Sequence, residues 1–250
     1  MWLVVITALG VGGATVIGAA LGFLIGKIPH KWSDGMMSFA AGVMLAAAVI
    51  GLIMPAVEMT GKARLWEVAL GILAGAVFLN LMDQFTPHLH RISGVDIEKH
   101  RSNDSMSRVM LFVIAIAIHN LPEGMAAGVG FGTDNISGAI SVSIGIALHN
   151  IPEGLILISP LVLAGVSRMR ALGIAAFTGL FEVIGTFIGY FAASAAGVIL
   201  PFTLAFAGGA MLYIVSDEMI PETHSHGHER LATYSLLIGF ILMLAIDTVI

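Results

Sequence analysis

The residues best suited to chemistry lie in a hexapeptide that occurs twice. His119-Asn120-Leu121-Pro122-Glu123-Gly124 returns thirty residues on as His149-Asn150-Ile151-Pro152-Glu153-Gly154. On a helix His and Glu stand at i and i+4, and Asn and Glu at i and i+3. Each copy therefore presents an imidazole, an amide and a carboxylate to one space. The proline has no N–H, so it frees the carbonyl of Ile118 in one copy and of Leu148 in the other, and it bends the helix. The glycine after Glu permits close approach of a neighbour or an ion. With Glu182 from a third segment, the set reaches three carboxylates, two imidazoles and two amides. These carboxylates would repel one another without a cation, and a divalent ion removes the conflict. Mixed imidazole and carboxylate ligation suits Zn2+, Fe2+, Mn2+ or Co2+ better than Mg2+ or Ca2+.

The segments that carry these groups are apolar. Of 250 residues, 58% are hydrophobic and 11% charged, with mean hydropathy +0.97. A soluble domain averages about 25% charged residues, so the chain reads as a polytopic, all-α membrane protein. The net charge of −5 argues against nucleic acid as a partner, and the absence of cysteine excludes disulfides and thiolate metal sites. Abundant glycine and alanine suit close helix contacts in lipid. The run from Trp2 to Gly26 has no basic leader and is long enough to span, so it reads as a retained helix rather than a signal peptide.

At about 20 apolar residues per crossing, eight helices are expected: 2–26, 35–57, 66–85, 108–131, 137–163, 171–196, 199–219 and 231–249. The connections are short except 86–107, which is polar and holds His88, His90 and His100. The link 220–230 is rich in histidine. His119 comes eleven residues after Arg108, roughly 16 Å at 1.5 Å per residue, which is about half of a 30 Å hydrocarbon core. The same count puts His149 and Glu182 at a similar depth.

Lys27, Lys31, Arg91, Lys99, Arg101, Arg108, Arg168, Arg170 and Arg230 fall on one side, and only Lys62 and Arg64 on the other. By the positive-inside rule both termini are then extracytoplasmic, and 86–107 and 220–230 face the cytoplasm across a plasma (inner) membrane. Phe39-Ala40-Ala41-Gly42-Val43-Met44-Leu45 also resembles Phe206-Ala207-Gly208-Gly209-Ala210-Met211-Leu212, on a helix of opposite direction. That points to inverted repeats, helices 1–3 and 6–8 around helices 4 and 5 in a 3+2+3 order, with the substrate at their interface.

Ordinary packing explains part of this list. A single proline is a kink and a single buried histidine a hydrogen-bonding core residue. Two copies and a glutamate on a third helix at matched depth are costly to bury, which packing does not explain. Met44 on type alone is packing. Asp83, Asp217 and Glu218 sit at inner helix ends. His224, His226 and His228 form a tract that can attract metal or simply be solvated.

The paired His-Asn-x-Pro-Glu-Gly elements, on the fourth and fifth of eight helices after a long third loop, resemble the ZIP family of divalent-metal transporters, prokaryotic branch. The resemblance covers essentially the whole chain. It implies a binuclear mid-membrane site with His119, Asn120, Glu123, His149, Asn150, Glu153 and Glu182 as metal positions and Met44 as a thioether ligand. It implies Asp217, Glu218, His224, His226 and His228, with His88 and His90 in the third loop, as a release path. Some relatives carry Asp where this chain has Asn150, which removes a charge from the second metal position.

The expected function is import of Zn2+, with Fe2+, Mn2+, Co2+ and Cd2+ as further cargo, by alternating access. The metal is transported, and no resident cofactor is expected. The expected partners are divalent ions and the bilayer, and a homodimer is left open. A selective channel could use the same site. An intramembrane metalloenzyme is the third reading, but no His-Glu-x-x-His occurs.

Overall fold

A membrane interior offers no water to backbone N–H and C=O groups, so a spanning segment of this composition must close its hydrogen bonds within a helix. The structure, a computed structural model, describes residues 1–26, 28–85, 104–133, 135–163, 165–195 and 197–250. His88, His90 and His100 lie outside the described residues. Among those described, the chain is all-helical and has no strand. Its long helices are α1 (Trp2–Ile25), α2 (His30–Thr60), α3 (Leu65–Phe85), α4 (Asp104–Val129), α5 (Ile136–Leu163), α6 (Arg168–Ala195), α7 (Leu200–Thr223) and α8 (Glu229–Val249). Seven of these, all but α4, are long and apolar enough to cross a membrane. The remaining helix carries the first hexapeptide.

The helices pair closely as α4 with α6, α1 with α5, α3 with α7 and α2 with α8, and α1 also packs on α6. In α7, 67% of the most apolar window is enclosed, against 17% in α8 and 22% in α3. The outer surface therefore belongs to helices such as α3 and α8. Leu70, Leu73, Val77 and Leu81, and Leu237, Ile238, Ile241 and Leu244, form exposed apolar stripes that face lipid. The main core lies between α2, α7 and their neighbours, where Met44, Leu52, Leu204 and Met211 are buried.

Two helices depart from regular winding. α2 widens into a π-helical stretch at Ala47–Ile53, just before Pro55, and α7 does so at Val215–Met219, just before Pro221. Each proline removes one N–H and pushes on the carbonyl four residues back, and a wider turn relieves both. The α7 stretch contains Asp217 and Glu218.

The glycines that end the hexapeptides set the helix spacing around the site. A Cβ on Gly124 would lie 2.1 Å from the Glu182 carbonyl oxygen, and one on Gly154 would lie 2.1 Å from the Thr15 carbonyl oxygen. Backbone meets backbone at both places, so a methyl group must push helices apart. Gly124→Ala should therefore destabilise by about 1–3 kcal/mol, the usual cost of overpacking. Gly173→Ala, with nothing within 4 Å of the added carbon, should not. Thermal melting of the two variants in detergent checks this; equal midpoints would contradict the packing.

Candidate metal site

His149 and Glu182 fall at the centres of their helices, α5 and α6, and His119, Asn120 and Glu123 lie just past the middle of α4, in its C-terminal half. Pro122 and Pro152 stand inside continuous helix in α4 and α5. Asn120, His149, Asn150 and Glu182 are fully buried, and Glu123 is 2% exposed.

The structure sorts these groups into three sets. Glu123, His149 and Glu153 each bring one ligand atom within 4.8 Å of the others. His149 Nε2 is 3.2 Å from Glu123 Oε2, yet neither atom has a hydrogen-bond partner. A tetrahedral zinc with bonds of about 2.1 Å places its ligand atoms roughly 3.4 Å apart, so this pair already has the spacing of two ligands on one ion. In the second set, Glu182 accepts three hydrogen bonds from neutral donors. Thr15 Oγ1 donates to Oε1 at 2.6 Å, Asn120 Nδ2 to Oε1 at 2.8 Å and Asn150 Nδ2 to Oε2 at 2.6 Å. Asn150 Nδ2 also reaches the Val11 carbonyl at 3.2 Å. In the third, His119 Nε2 lies 3.0 Å from Glu218 Oε1 of α7.

Eight buried side-chain atoms among the described residues have no hydrogen-bond partner. Six belong here: Asn120 Oδ1, Glu123 Oε2, His149 Nδ1 and Nε2, Asn150 Oδ1 and Glu218 Oε1. Each such atom costs about 1–3 kcal/mol when nothing replaces its water. All six carry lone pairs or can expose one, which is the donor set of a cation site. Hydrocarbon or further packing would not compensate them.

The other expected residues are placed differently. Met44 is buried in the apolar core. Asp217 is exposed while Glu218 turns inward. His224 is engaged on both nitrogens, with Nδ1 2.9 Å from the Ile220 carbonyl and Nε2 3.2 Å from Thr233 Oγ1, so it fastens the end of α7 to α8. His226 meets Asp34 at the start of α2, and His228 stands at the entry to α8. Thr15 was not expected. A lone threonine in an apolar helix carries no signal, and only its contact with Glu182 reveals it.

The family whose model matches the chain, over residues 95–247, is described as "ZIP Zinc transporter". The chain belongs to the ZIP zinc transporter family. It is 36% identical over 248 residues to "Zinc transporter GufA" of Myxococcus xanthus, covering 97% of this chain and 96% of that protein. It is 38% identical over 243 residues to "Zinc transporter ZIPB" of Bordetella bronchiseptica, covering 94% and 77%. "Zinc transporter ZupT" of Chlorobaculum parvum is 35% identical over 246 residues, covering 93% and 91%. The matched region of this ZIP chain holds both hexapeptides, Glu182, Glu218 and His226. Thr15, Asp34 and Met44 precede it.

The Glu182 network predicts a stability effect separate from metal. Thr15→Val keeps shape but deletes one donor to a buried carboxylate, a hydrogen bond worth about 1.5–3 kcal/mol. A lowered melting midpoint in metal-free detergent solution is expected. No shift would mean that Glu182 does not depend on Thr15.

Proposed function

We propose that the chain is a divalent-metal importer, a transporter and not an enzyme, whose cargo is Zn2+ and, more weakly specified, Fe2+, Mn2+, Co2+ and Cd2+. The observation that carries this reading is the Glu123, His149 and Glu153 cluster with its unpartnered, buried ligand atoms. These three form the primary position. One nitrogen and two carboxylates match a transition ion's preference for mixed donors.

Asn120, Asn150 and Glu182 form the second position of a binuclear site, and it is the weaker one. Filling it requires both amides to turn their oxygens to the ion and give up their bonds to Glu182. The neutral Asn150 brings no charge to offset that loss. Met44 is a packing residue that becomes a ligand only when α2 moves toward the site.

The architecture proposed is inverted repeats α1–α3 and α6–α8 around α4 and α5, in a plasma (inner) membrane with both termini outside. The helix contacts support it. Exchanging α1 with α6, α2 with α7, α3 with α8 and α4 with α5 turns the pair α4–α6 into α5–α1, and α3–α7 into α8–α2. Closest approaches follow the same exchange: Gly18 meets Ile151 as Gly185 meets Leu121, and Gly22 meets Leu155 as Gly189 meets Met125. Alternating access then arises as one bundle shifts against the other and opens the site to each side in turn. On the inner side the ion passes from Glu123 to His119 and Glu218, then toward Glu222 and the 220–230 link.

Removing a second-layer partner of a metal ligand costs about 10–100-fold, so losing a ligand should cost at least that much. Glu123→Ala should abolish zinc uptake into proteoliposomes, whereas deleting residues 224–228 should only reduce it. Because ligands bind metal deprotonated, affinity should also fall as pH falls. Full uptake by Glu123→Ala would refute the site.

A further inference from the structure

Of the three donors to Glu182, Thr15 alone stands outside the hexapeptides. A hydroxyl in a membrane helix usually bonds back to its own backbone. The buried Thr178, Thr186 and Thr203 do so, donating to the carbonyls of Ala175, Glu182 and Ile199. The carbonyl that Thr15 would use in this way, that of Val11, accepts from Asn150 Nδ2 at 3.2 Å. Thr15 Oγ1 instead crosses from α1 to α6 and donates to Glu182 Oε1 at 2.6 Å.

Backbone packing fixes that hydroxyl from both sides. A Cβ on Gly12 would lie 2.5 Å from the Gly179 carbonyl oxygen, and one on Gly179 would lie 2.6 Å from the Gly12 carbonyl oxygen. A Cβ on Gly18 would lie 2.1 Å from the Ile151 carbonyl oxygen. α1 is thus pressed against α6 one turn before Thr15 and against α5 one turn after it. Thr15 itself is fully buried, and a β-branched side chain has few rotamers in a helix. The hydroxyl therefore has a set place, to which the more flexible glutamate side chain comes.

An ion would affect the three donors differently. Asn120 and Asn150 each keep a bare, buried Oδ1. In the second metal position proposed above, these oxygens turn to the ion and both Nδ2 groups leave Glu182. Thr15 has no such exchange to make. In the empty site Glu182 Oε1 accepts from both Asn120 and Thr15. In the filled site Thr15 is the donor that Oε1 retains. A buried carboxylate oxygen stripped of its donors is costly, so the hydroxyl counts for more in the loaded state than in the empty one. A group that favours one of two states in this way contributes to binding as well as to folding.

We infer that Thr15 is a positioning residue of the second metal position: from α1 it anchors Glu182 Oε1, so that Oε2 stays turned to the ion while the two asparagines change partners. The inference rests on the binuclear reading of the site. It brings into the transport site a helix that supplies no ligand, and it gives the Thr15 hydroxyl a part in metal affinity beyond its part in stability.

Equilibrium dialysis of the purified full chain in detergent against radioactive zinc tests this. Zinc at the second position is the class of bound zinc that Glu182→Gln removes. Thr15→Val should weaken that class by about 10–100-fold, the usual cost of deleting a hydrogen-bond partner of a metal ligand, and leave the remaining zinc bound as before. Thr15→Ala, which cannot crowd the helix crossing, should do the same and guards against a folding defect in Thr15→Val. Thr15→Ser returns the hydroxyl and should restore the class. Equal weakening of all bound zinc, unrelieved by Thr15→Ser, would make Thr15 a packing residue and overturn the inference. Unchanged affinity of the Glu182-dependent class in Thr15→Val and Thr15→Ala would also overturn it, and would leave the binuclear reading standing. If Glu182→Gln removes no zinc, the binuclear reading itself falls and the inference falls with it.

Discussion

A carboxylate inside a membrane protein must be compensated on the spot, because no water follows it there. Glu182 shows how this chain does so. Its two oxygens take one hydroxyl and two amide donors from three other helices, so α1, α4, α5 and α6 converge on a single side chain. Such a bond is directional, and the glycines at 124 and 154 bring the backbones close enough for it to form. The same amides that hold Glu182 leave their oxygens bare. Satisfying one group thus leaves others exposed to whatever cation enters. The Glu123, His149 and Glu153 cluster and the two bare amide oxygens are what the Glu182 network leaves unsatisfied.

Irregular helix is tolerated only where protein surrounds it. Pro122 and Pro152 free carbonyls at the level of the site, and the wide turns before Pro55 and Pro221 fall in α2 and α7, the helices packed against α5 and α4. The outermost helices, α3 and α8, carry no such break. Winding defects therefore fall on the enclosed helices α2 and α7, and the regular helices α3 and α8 carry the outer face. Asp217 and Glu218 both lie in the π-stretch of α7, Asp217 exposed and Glu218 partly enclosed.

Much of this could be read in the sequence, and what could not has a physical reason. The hexapeptides announce themselves because they repeat a costly group in an apolar run, and Glu182 stands out for the same cost. All-helical architecture follows from hydropathy alone. The Glu123, His149 and Glu153 grouping was less legible: both hexapeptides offer the same six residue types, and only the kink and helix crossing decide that His149, not His119, sits between the two glutamates. His119 turns instead to Glu218, from a helix nearly a hundred residues away. The pairing of His226 with Asp34 escaped because a window of apolar residues begins the second span at 35, whereas the helix begins at His30. Polar first turns are invisible to hydropathy. The His-rich link suggested metal, but composition could not say that His224 is occupied by Ile220 and Thr233 while His226 meets a buried acid.

The site's asymmetry comes from one substitution within matched surroundings. Gly154 of α5 rests on the carbonyl of Thr15 in α1, and Gly124 of α4 rests on the carbonyl of Glu182 in α6, with the same 2.1 Å approach. Backbone geometry treats Thr15 and Glu182 as counterparts, yet one is a hydroxyl and the other a carboxylate. Two carboxylates there would face each other in a dry interior, a repulsion that low dielectric magnifies. A hydroxyl instead donates at 2.6 Å and turns the counterpart into a partner. Charge is thereby withdrawn from the α1 side, where Asn150 is also neutral. Of the carboxylates around the site, Glu182 is saturated by its three donors and Glu218 lies 3.0 Å from His119, toward the end of α7. Only Glu123 and Glu153 remain without such partners beside His149, and the three bring their ligand atoms within 4.8 Å of one another, so the acidity that the rest of the network does not absorb is gathered in that one cluster.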